Sequence, residues 1–387
     1  MLRDDEIYDE IYKDMIAVAK RENNRRRNYL AVNRKQGKHV PVVPSEAFSL
    51  YRRLSDEIRP VYDGRRTLVI GFAETATAIG AAVAADLSAL YLQTTREEME
   101  DVSYLFFSET HSHAAEQRLV KEDLERAMEQ VDRIVFAEDE LTTGNTILSA
   151  IEAIRRDCGR NGPGEERSGG CGVSFSVISV LNGMDESAVR SFQRQGIGLH
   201  YLVKSDHSAY SDAAARCRAD GEYFEASVLR PERDAEEISL LGRMDPRRLV
   251  QAADYREACR RLAEQVMERI PFARQERVLV LGTEECMYPA LFLGRLLEEA
   301  GCDVRSHSTT RSPIEVSRED GYPLHSRYQL ASLYDRERTT YLYDLERCDK
   351  VVVVTDSLRI PEEGRYSLVN ALNRSGNREI YFVRWNK

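Results

Sequence analysis

The chain has 387 residues, a length that exceeds one ordinary domain and provides for two, each with its own core. With 55 Lys and Arg against 65 Asp and Glu, its net charge of −10 disfavours broad binding to nucleic acid or to an anionic membrane surface. No apolar run is long enough to span a bilayer, the start MLRDDEIYDE is too acidic for a signal or transit peptide, and the seven cysteines lack a CxxC pair, so a reduced cytoplasmic enzyme is expected.

In chain order, Ile7, Ile11, Met15, Ile16 and Val18 recur at helical spacing with charges between them, which predicts a docking helix over residues 1–22. A basic segment follows, with Arg25, Arg26, Arg27, Arg34, Lys35 and Lys38 around a short apolar core. Charge alone leaves it as either a solvated loop or an anion-binding segment. A helix is predicted over Ser45 to Glu57. Residues Thr67 to Ile70 then read as a strand, Gly71 to Thr75 as a turn, and the Ala-rich stretch that follows as a helix packing through Ile79, Val83 and Leu87. Leu90 to Gln93 form the next strand, and Thr94, Thr95 and Arg96 open a charged stretch that reaches Glu109, His111 and His113. That His pair lacks a third ligand at a recognisable spacing and stays open between an uncommitted surface pair and a metal pair.

The most informative stretch is Arg133 to Thr146, RIVFAEDELTTGNT. Four apolar residues, Ile134 to Ala137, read as a buried strand that ends in two adjacent acids, Glu138 and Asp139. A Thr/Gly turn then leads into a helix. Free N–H groups at the start of that helix favour an anion, and the hydroxyls of Thr142, Thr143 and Thr146 stand beside them. The acids lie about a sugar's length away, where they take ribose hydroxyls. This order of four apolar residues, two acids, two variable residues, TTG, a small or polar residue and Thr resembles the type I phosphoribosyltransferase signature.

The resemblance implies more. Gly71, Ala73, Glu74, Thr75 and Thr77 would meet diphosphate through backbone N–H groups, although Glu74 is an awkward resident for such a pocket. Arg96 and His113 would belong to a loop closing over the reacting sugar. Magnesium would be bound through the diphosphate and the ribose hydroxyls, with Glu138 and Asp139 nearby. The acceptor would stack near Phe72, Tyr91 or His200 to Lys204. The N-terminal run Arg27, Tyr29, Leu30, Lys35, Gly37, Lys38, His39 and Pro41 is similar to that of the phosphoribosyltransferases encoded in tellurite-resistance (ter) gene clusters, which makes Arg27, Lys35 and Lys38 candidate anion binders.

After the Gly-rich connection DCGRNGPGEERSGGCG, strand and helix alternate again through GVSFSVISVLNG, ESAVRSFQRQG and IGLHYLVKSD. Alternation throughout predicts a parallel α/β sheet with ligands at the carboxyl ends of its strands. The first domain is expected over 1–230, with a helical and basic extension over 1–60, a linker over 231–247, and a second domain over 248–387 that opens with a helix from Leu249 to Ile270. The halves look like a repeat. TLVIGFAETATAIGAAVAADL parallels VLVLGTEECMYPALFLGRLLEEA, YLQTTREE parallels RSHSTTRSPIE, SETHSHAAEQ parallels YPLHSRYQLAS, and DRIVFAEDELTTGNT parallels DKVVVVTDSLRIPEEG. In the last block Val351 to Val354 and Asp356 remain, the second acid is read as replaced by Ser357, and the TTG turn is gone.

Thr309, Thr310, Arg311, Ser312 and Pro313 match the motif of the TRSP domain found behind the ter-cluster enzymes, which adds Arg311 to the candidate anion binders. The fold class expected is therefore a type I phosphoribosyltransferase-like α/β domain followed by a second, degenerate one without the phosphate loop. The function expected is transfer from phosphoribosyl pyrophosphate to an unknown base or small acceptor, in a pathway linked to stress or tellurite resistance. The partners expected are ter-cluster pathway proteins and a second copy in a homodimer, with no membrane and no nucleic acid. Two rivals are a non-catalytic regulator that binds phosphoribosyl pyrophosphate or nucleotides, with nucleic acid contacted through the Arg25 to Lys38 patch, and an assembly subunit recruiting pathway enzymes through its TRSP half.

Overall fold

A computed structural model describes residues 15–22, 24, 27–62, 66–107, 117–157 and 172–387. Glu109, His111, His113 and residues 158–171 of the Gly-rich connection lie outside the described residues. In chain order the elements are β1 (Ile16–Lys20), β2 (Tyr29–Asn33), α1 (Pro44–Tyr62), β3 (Thr67–Gly71), α2 (Thr77–Asp86), β4 (Leu90–Gln93), β5 (Tyr104–Phe107), β6 (Gln117–Val120), α3 (Lys121–Met128), β7 (Arg133–Leu141), α4 (Asn145–Asp157), β8 (Ser174–Asn182), α5 (Glu186–Arg194) and β9 (Gly198–Lys204). There follow α6 (Tyr210–Ala215), β10 (Glu222–Glu225), β11 (Glu236–Leu240), β12 (Val250–Gln251), α7 (Ala252–Arg269), β13 (Arg277–Gly282), α8 (Tyr288–Glu299), β14 (Asp303–Ser308), β15 (Ser326–Ala331), β16 (Thr339–Tyr343), β17 (Lys350–Thr355), α9 (Glu362–Arg374) and β18 (Glu379–Trp385).

Two compact units result. The first comprises Tyr51–Ser205 and Met244–Glu257, and the second comprises the described parts of Met1–Leu50, Asp206–Arg243 and Ala258–Lys387. The chain is thus cut differently from the expected 1–230, 231–247 and 248–387. The basic N-terminal segment belongs to the second unit, and the expected linker contains a strand, β11, paired in parallel with β18.

The first unit is built on a sheet of order β12-β4-β3-β7-β8-β9, parallel except for β12. Its central strands are continuous apolar runs: Leu68, Val69 and Ile70 on β3 and Ile134 to Ala137 on β7 are all buried. That is the composition a strand needs when helices cover both sheet faces, and each of the Leu, Val, Ile and Phe side chains among them contributes about 1.5–3 kcal/mol when fully buried. Helix α4 buries Ile147, Ala150, Ile151 and Ile154, one stripe at helical spacing.

The second unit has a parallel sheet of order β11-β18-β17-β13-β14. Read from the other edge, β14-β13-β17-β18-β11 repeats the order β4-β3-β7-β8-β9 of the first unit, and each unit adds an antiparallel pair, β5 with β6 and β15 with β16. The edge place of β9 is filled by β11, which precedes its sheet in the chain. Register sharpens the repeat. Gly71 pairs with Ala137, and Gly282 pairs with Val354. Counting on from these pairs makes Thr355 the counterpart of Glu138 and Asp356 that of Asp139. The acid lost in the second unit is therefore the first of the pair, not a second acid replaced by Ser357.

Residues 16–20 are also corrected. They form β1, antiparallel to β2 with Ile16 opposite Asn33 and Lys20 opposite Tyr29, rather than the end of a helix. Ile16 and Val18 satisfy a period of two as well as a helical one, and their β-branched side chains suit the strand.

Candidate active site

Strand β7 sets the depth of the site. Its apolar half is locked between β3 and β8, and the pairing brings Glu138 beside Ser179 at the carboxyl end of the sheet. Glu138, Asp139 and Glu140 are half-buried there. Burial, then the neighbouring Asp139 carboxylate, push the Glu138 carboxyl well above its usual range, and the Arg96 guanidinium partly offsets this. Asp139 also acts on Tyr51, whose phenol is fully buried and pushed up by burial first and that carboxylate second. Crowded, half-buried acids favour a ligand that brings hydroxyl donors or positive charge.

The turn after β7 is shaped by Gly144. Its φ of +73° lies in the left-handed region, and an added Cβ would stand 2.6 Å from the Phe192 ring of α5. The Thr143 hydroxyl accepts from the Asn145 N–H at 3.2 Å, and the first helical bond runs from the Leu148 N–H to the Gly144 carbonyl at 3.0 Å. Thr142, Thr143 and Asn145 line an open polar depression together with Asp185, Ser187 and Ser191. N–H groups not used within a helix at its start provide for an anion there.

The turn after β3 stands next to this site, because the Phe72 N–H donates to the Ala137 carbonyl at 3.1 Å. A buried ring of hydrogen bonds holds it: the Ala73 N–H to Thr94 Oγ1 at 2.7 Å, that hydroxyl to Gln117 Oε1 at 2.7 Å, and Gln117 Nε2 back to the Ala73 carbonyl at 2.5 Å. The Ala73–Glu74 peptide is cis, and Glu74 is 8% exposed. Thr77 Oγ1 donates to the Glu74 carbonyl at 3.2 Å. Thr75 is half-buried. Helix α2 sits hard against the strand, since a Cβ on Gly80 would lie 2.8 Å from the Gly71 Cα. Gln117 went unnoticed in the sequence because nothing local marks it; it meets Thr94 only when β6 folds back on β5.

Arg96 comes within electrostatic reach of Glu138, and its carbonyl accepts from Arg118 Nη2 at 3.1 Å. His113 lies outside the described residues. Phe72 and Tyr91 are corrected as places for an acceptor. Phe72 is 2% exposed against Phe107 and Phe136, and Tyr91 is fully buried with its hydroxyl donated to the Thr77 carbonyl at 2.8 Å. On β9, His200 is half-buried, and burial, then Arg133, hold its imidazole below its usual pKa.

The four candidate anion binders belong to the second unit. Arg27 stacks over Tyr29 at 4.6 Å, and Lys35 is half-buried. Lys38 is fully buried and donates to the Glu284 and Thr309 carbonyls, both at 2.8 Å, so it organises the protein interior. Arg311 pairs with Glu284 at 2.8 Å and Glu285 at 3.4 Å. Among the described residues no group of three or more His, Cys, Asp and Glu side chains is placed to hold a metal ion, and no helix is long and apolar enough to cross a membrane.

Residues 15–162 match the family described as phosphoribosyl transferase, and residues 247–372 match the family described as the TRSP domain C-terminal to it. No curated protein matches the sequence. Among solved structures, the Giardia lamblia adenine phosphoribosyltransferase complexed with 9-deazaadenine is 16% identical, with a TM-score of 0.37 over 50% of this chain and 96% of that one. The Trypanosoma brucei adenine phosphoribosyltransferase, in complex with AMP, pyrophosphate and ribose-5-phosphate, is 13% identical, with a TM-score of 0.36 over 51% of this chain and 79% of that one. The Rhodothermus marinus adenine phosphoribosyltransferase is 12% identical, with a TM-score of 0.35 over 52% of this chain and 99% of that one. The parallel α/β sheet, the motif on β7 and α4, and the two family matches in this order identify a phosphoribosyltransferase domain, of the pentosyltransferase class, followed by a TRSP domain.

Proposed function

We propose that the chain transfers the phosphoribosyl group of phosphoribosyl pyrophosphate to a base or small nucleophilic acceptor. The observation that carries this reading is the half-buried Glu138 and Asp139 at the end of β7, followed at once by the Gly144 turn on the start of α4. In this reading Glu138 and Asp139 accept the ribose hydroxyls, and the turn from Thr142 to Thr146 with Gly144 and Asn145 takes the 5′-phosphate. Ala73, Glu74 and Thr75 meet the diphosphate. Arg96 adds positive charge near the reacting carbon, and His113, which lies outside the described residues, is assigned to the same catalytic role. The acceptor's lone pair forms a bond to the anomeric carbon as the bond to the diphosphate oxygen breaks; diphosphate leaves with the electrons of the broken bond, and the acceptor's proton passes to solvent.

The donor set fits magnesium carried by the ligand's own oxygens: burial and the Asp139 carboxylate push the Glu138 carboxyl above its usual range, which is the electrostatics a nearby cation relieves. When bound, that ion supplies charge neutralisation for the leaving diphosphate. With Phe72 and Tyr91 in the core, the neighbourhood of His200 to Lys204 is the remaining place for the acceptor. The cytoplasm, a ter-cluster pathway making a nucleoside-like metabolite, and partners from that pathway complete the reading. Burial of Lys38 counts against a nucleic-acid-binding regulator that uses the basic N-terminal segment.

The Asp139→Asn protein titrated with phosphoribosyl pyrophosphate and Mg²⁺ in a calorimeter should show binding lost by at least tenfold. Unchanged affinity would remove the assignment of the acids.

A further inference from the structure

Three hydrogen bonds that shape the turn after β3 recur in the turn after β13. The Glu284 N–H donates to Thr309 Oγ1 at 2.9 Å where Ala73 donates to Thr94 at 2.7 Å. The Thr309 N–H donates to the Gly282 carbonyl at 3.1 Å where Thr94 donates to Gly71 at 2.9 Å. Thr310 and Thr95 likewise donate to the carbonyls of Tyr341 and Arg118, both at 2.9 Å. Glu284 is thus the counterpart of Ala73, and Arg311 that of Arg96. Where the first unit has a methyl group, the second has a carboxylate.

That carboxylate is enclosed: Glu284 is 1% exposed. One oxygen accepts from Arg311 Nε at 2.8 Å and from Arg338 Nη1 at 2.9 Å, and the other accepts from Ser332 Oγ at 2.5 Å. Arg311 reaches it from the strand-end turn, while Ser332 and Arg338 come from the connection between β15 and β16. The Glu284 backbone has φ +48°, a conformation residues with side chains adopt reluctantly, and Lys38 holds its carbonyl. Glu285 and Asp335 balance the remaining charge, at 3.4 Å from Arg311 and Arg338 respectively. Two guanidiniums and a hydroxyl converging on one small anion are the donor set that recognises phosphate.

The geometry points to a self-occupied anion site: the second unit keeps the cationic lining for a phosphate-class anion and fills it with the Glu284 carboxylate, so the native unit takes up no free phosphate or diphosphate. This depends on the correspondence of the two turns and stands whether or not the first turn holds diphosphate.

The test is calorimetric titration of the full chain with inorganic diphosphate at low salt, comparing the natural protein, Glu284→Ala, and Glu284→Ala combined with Arg311→Ala. Glu284→Ala should bind one equivalent more than the natural protein, and the double variant should lose it. Should the alanine protein fail to fold, Glu284→Gly empties the same space, suits the positive φ at this position and serves the same titration, with added diphosphate expected to raise its melting temperature by more than that of the natural protein. A folded Glu284 variant with unchanged stoichiometry, or an extra equivalent that survives loss of Arg311, would overturn the inference.

Discussion

Glu138 combines burial with a like charge next to it, and both raise its pKa above the ordinary value of a glutamic acid side chain. Between that value and the raised one, the folded protein keeps a proton that the unfolded chain has released. Stability therefore falls as pH rises through this window, and the cost is fully present above it. Glu138→Gln should stabilise the ligand-free protein at pH 8 and do nothing at pH 4. Thermal melts at the two pH values check this, and an equal shift at both would contradict it. The two acids were legible in the sequence because they stand together at the end of an apolar run. Gln117 and the buried role of Lys38 were not, since both depend on partners far along the chain: Gln117 bonds Thr94, and Lys38 bonds Glu284 and Thr309.

At the scale of elements, the strand, turn and helix from β7 to α4 do the positioning. Gly144→Ala places a methyl group against Phe192 and strains a left-handed residue, which should cost on the order of 1–3 kcal/mol and displace the turn. Gly196 provides the comparison: its φ is +68°, but an added Cβ there meets nothing within 4 Å. Denaturant melts with phosphoribosyl pyrophosphate titrations should show Gly144→Ala losing both stability and binding, and Gly196→Ala losing some stability alone. Equal binding by both variants would argue against the turn's role. Long apolar or alternating runs such as β7, β8 and β13 were readable because burial on both faces writes itself into composition. Strand β1 was misread because a five-residue run fits two periods. Strand β11, EEISL, was passed over because its pairing with β18, Glu236 opposite Tyr381, leaves no local trace.

For the molecule as a whole, one strand order is used twice and chemistry is expected from one copy. The repeat was visible in four aligned blocks, and register corrected which acid the second copy has lost. What remains there is committed internally: Asp356 accepts from the Tyr334 hydroxyl at 2.7 Å and lies 4.0 Å from Arg243, and Glu284 fills the turn. The most direct measurement is diphosphate release from phosphoribosyl pyrophosphate by the full chain with Mg²⁺, across a panel of bases and small acceptors, beside Asp139→Asn and its counterpart Asp356→Asn. Release that depends on an acceptor, is abolished by Asp139→Asn and persists in Asp356→Asn is the predicted result. No release with any acceptor, or equal release from the Asp139→Asn protein, would contradict the account.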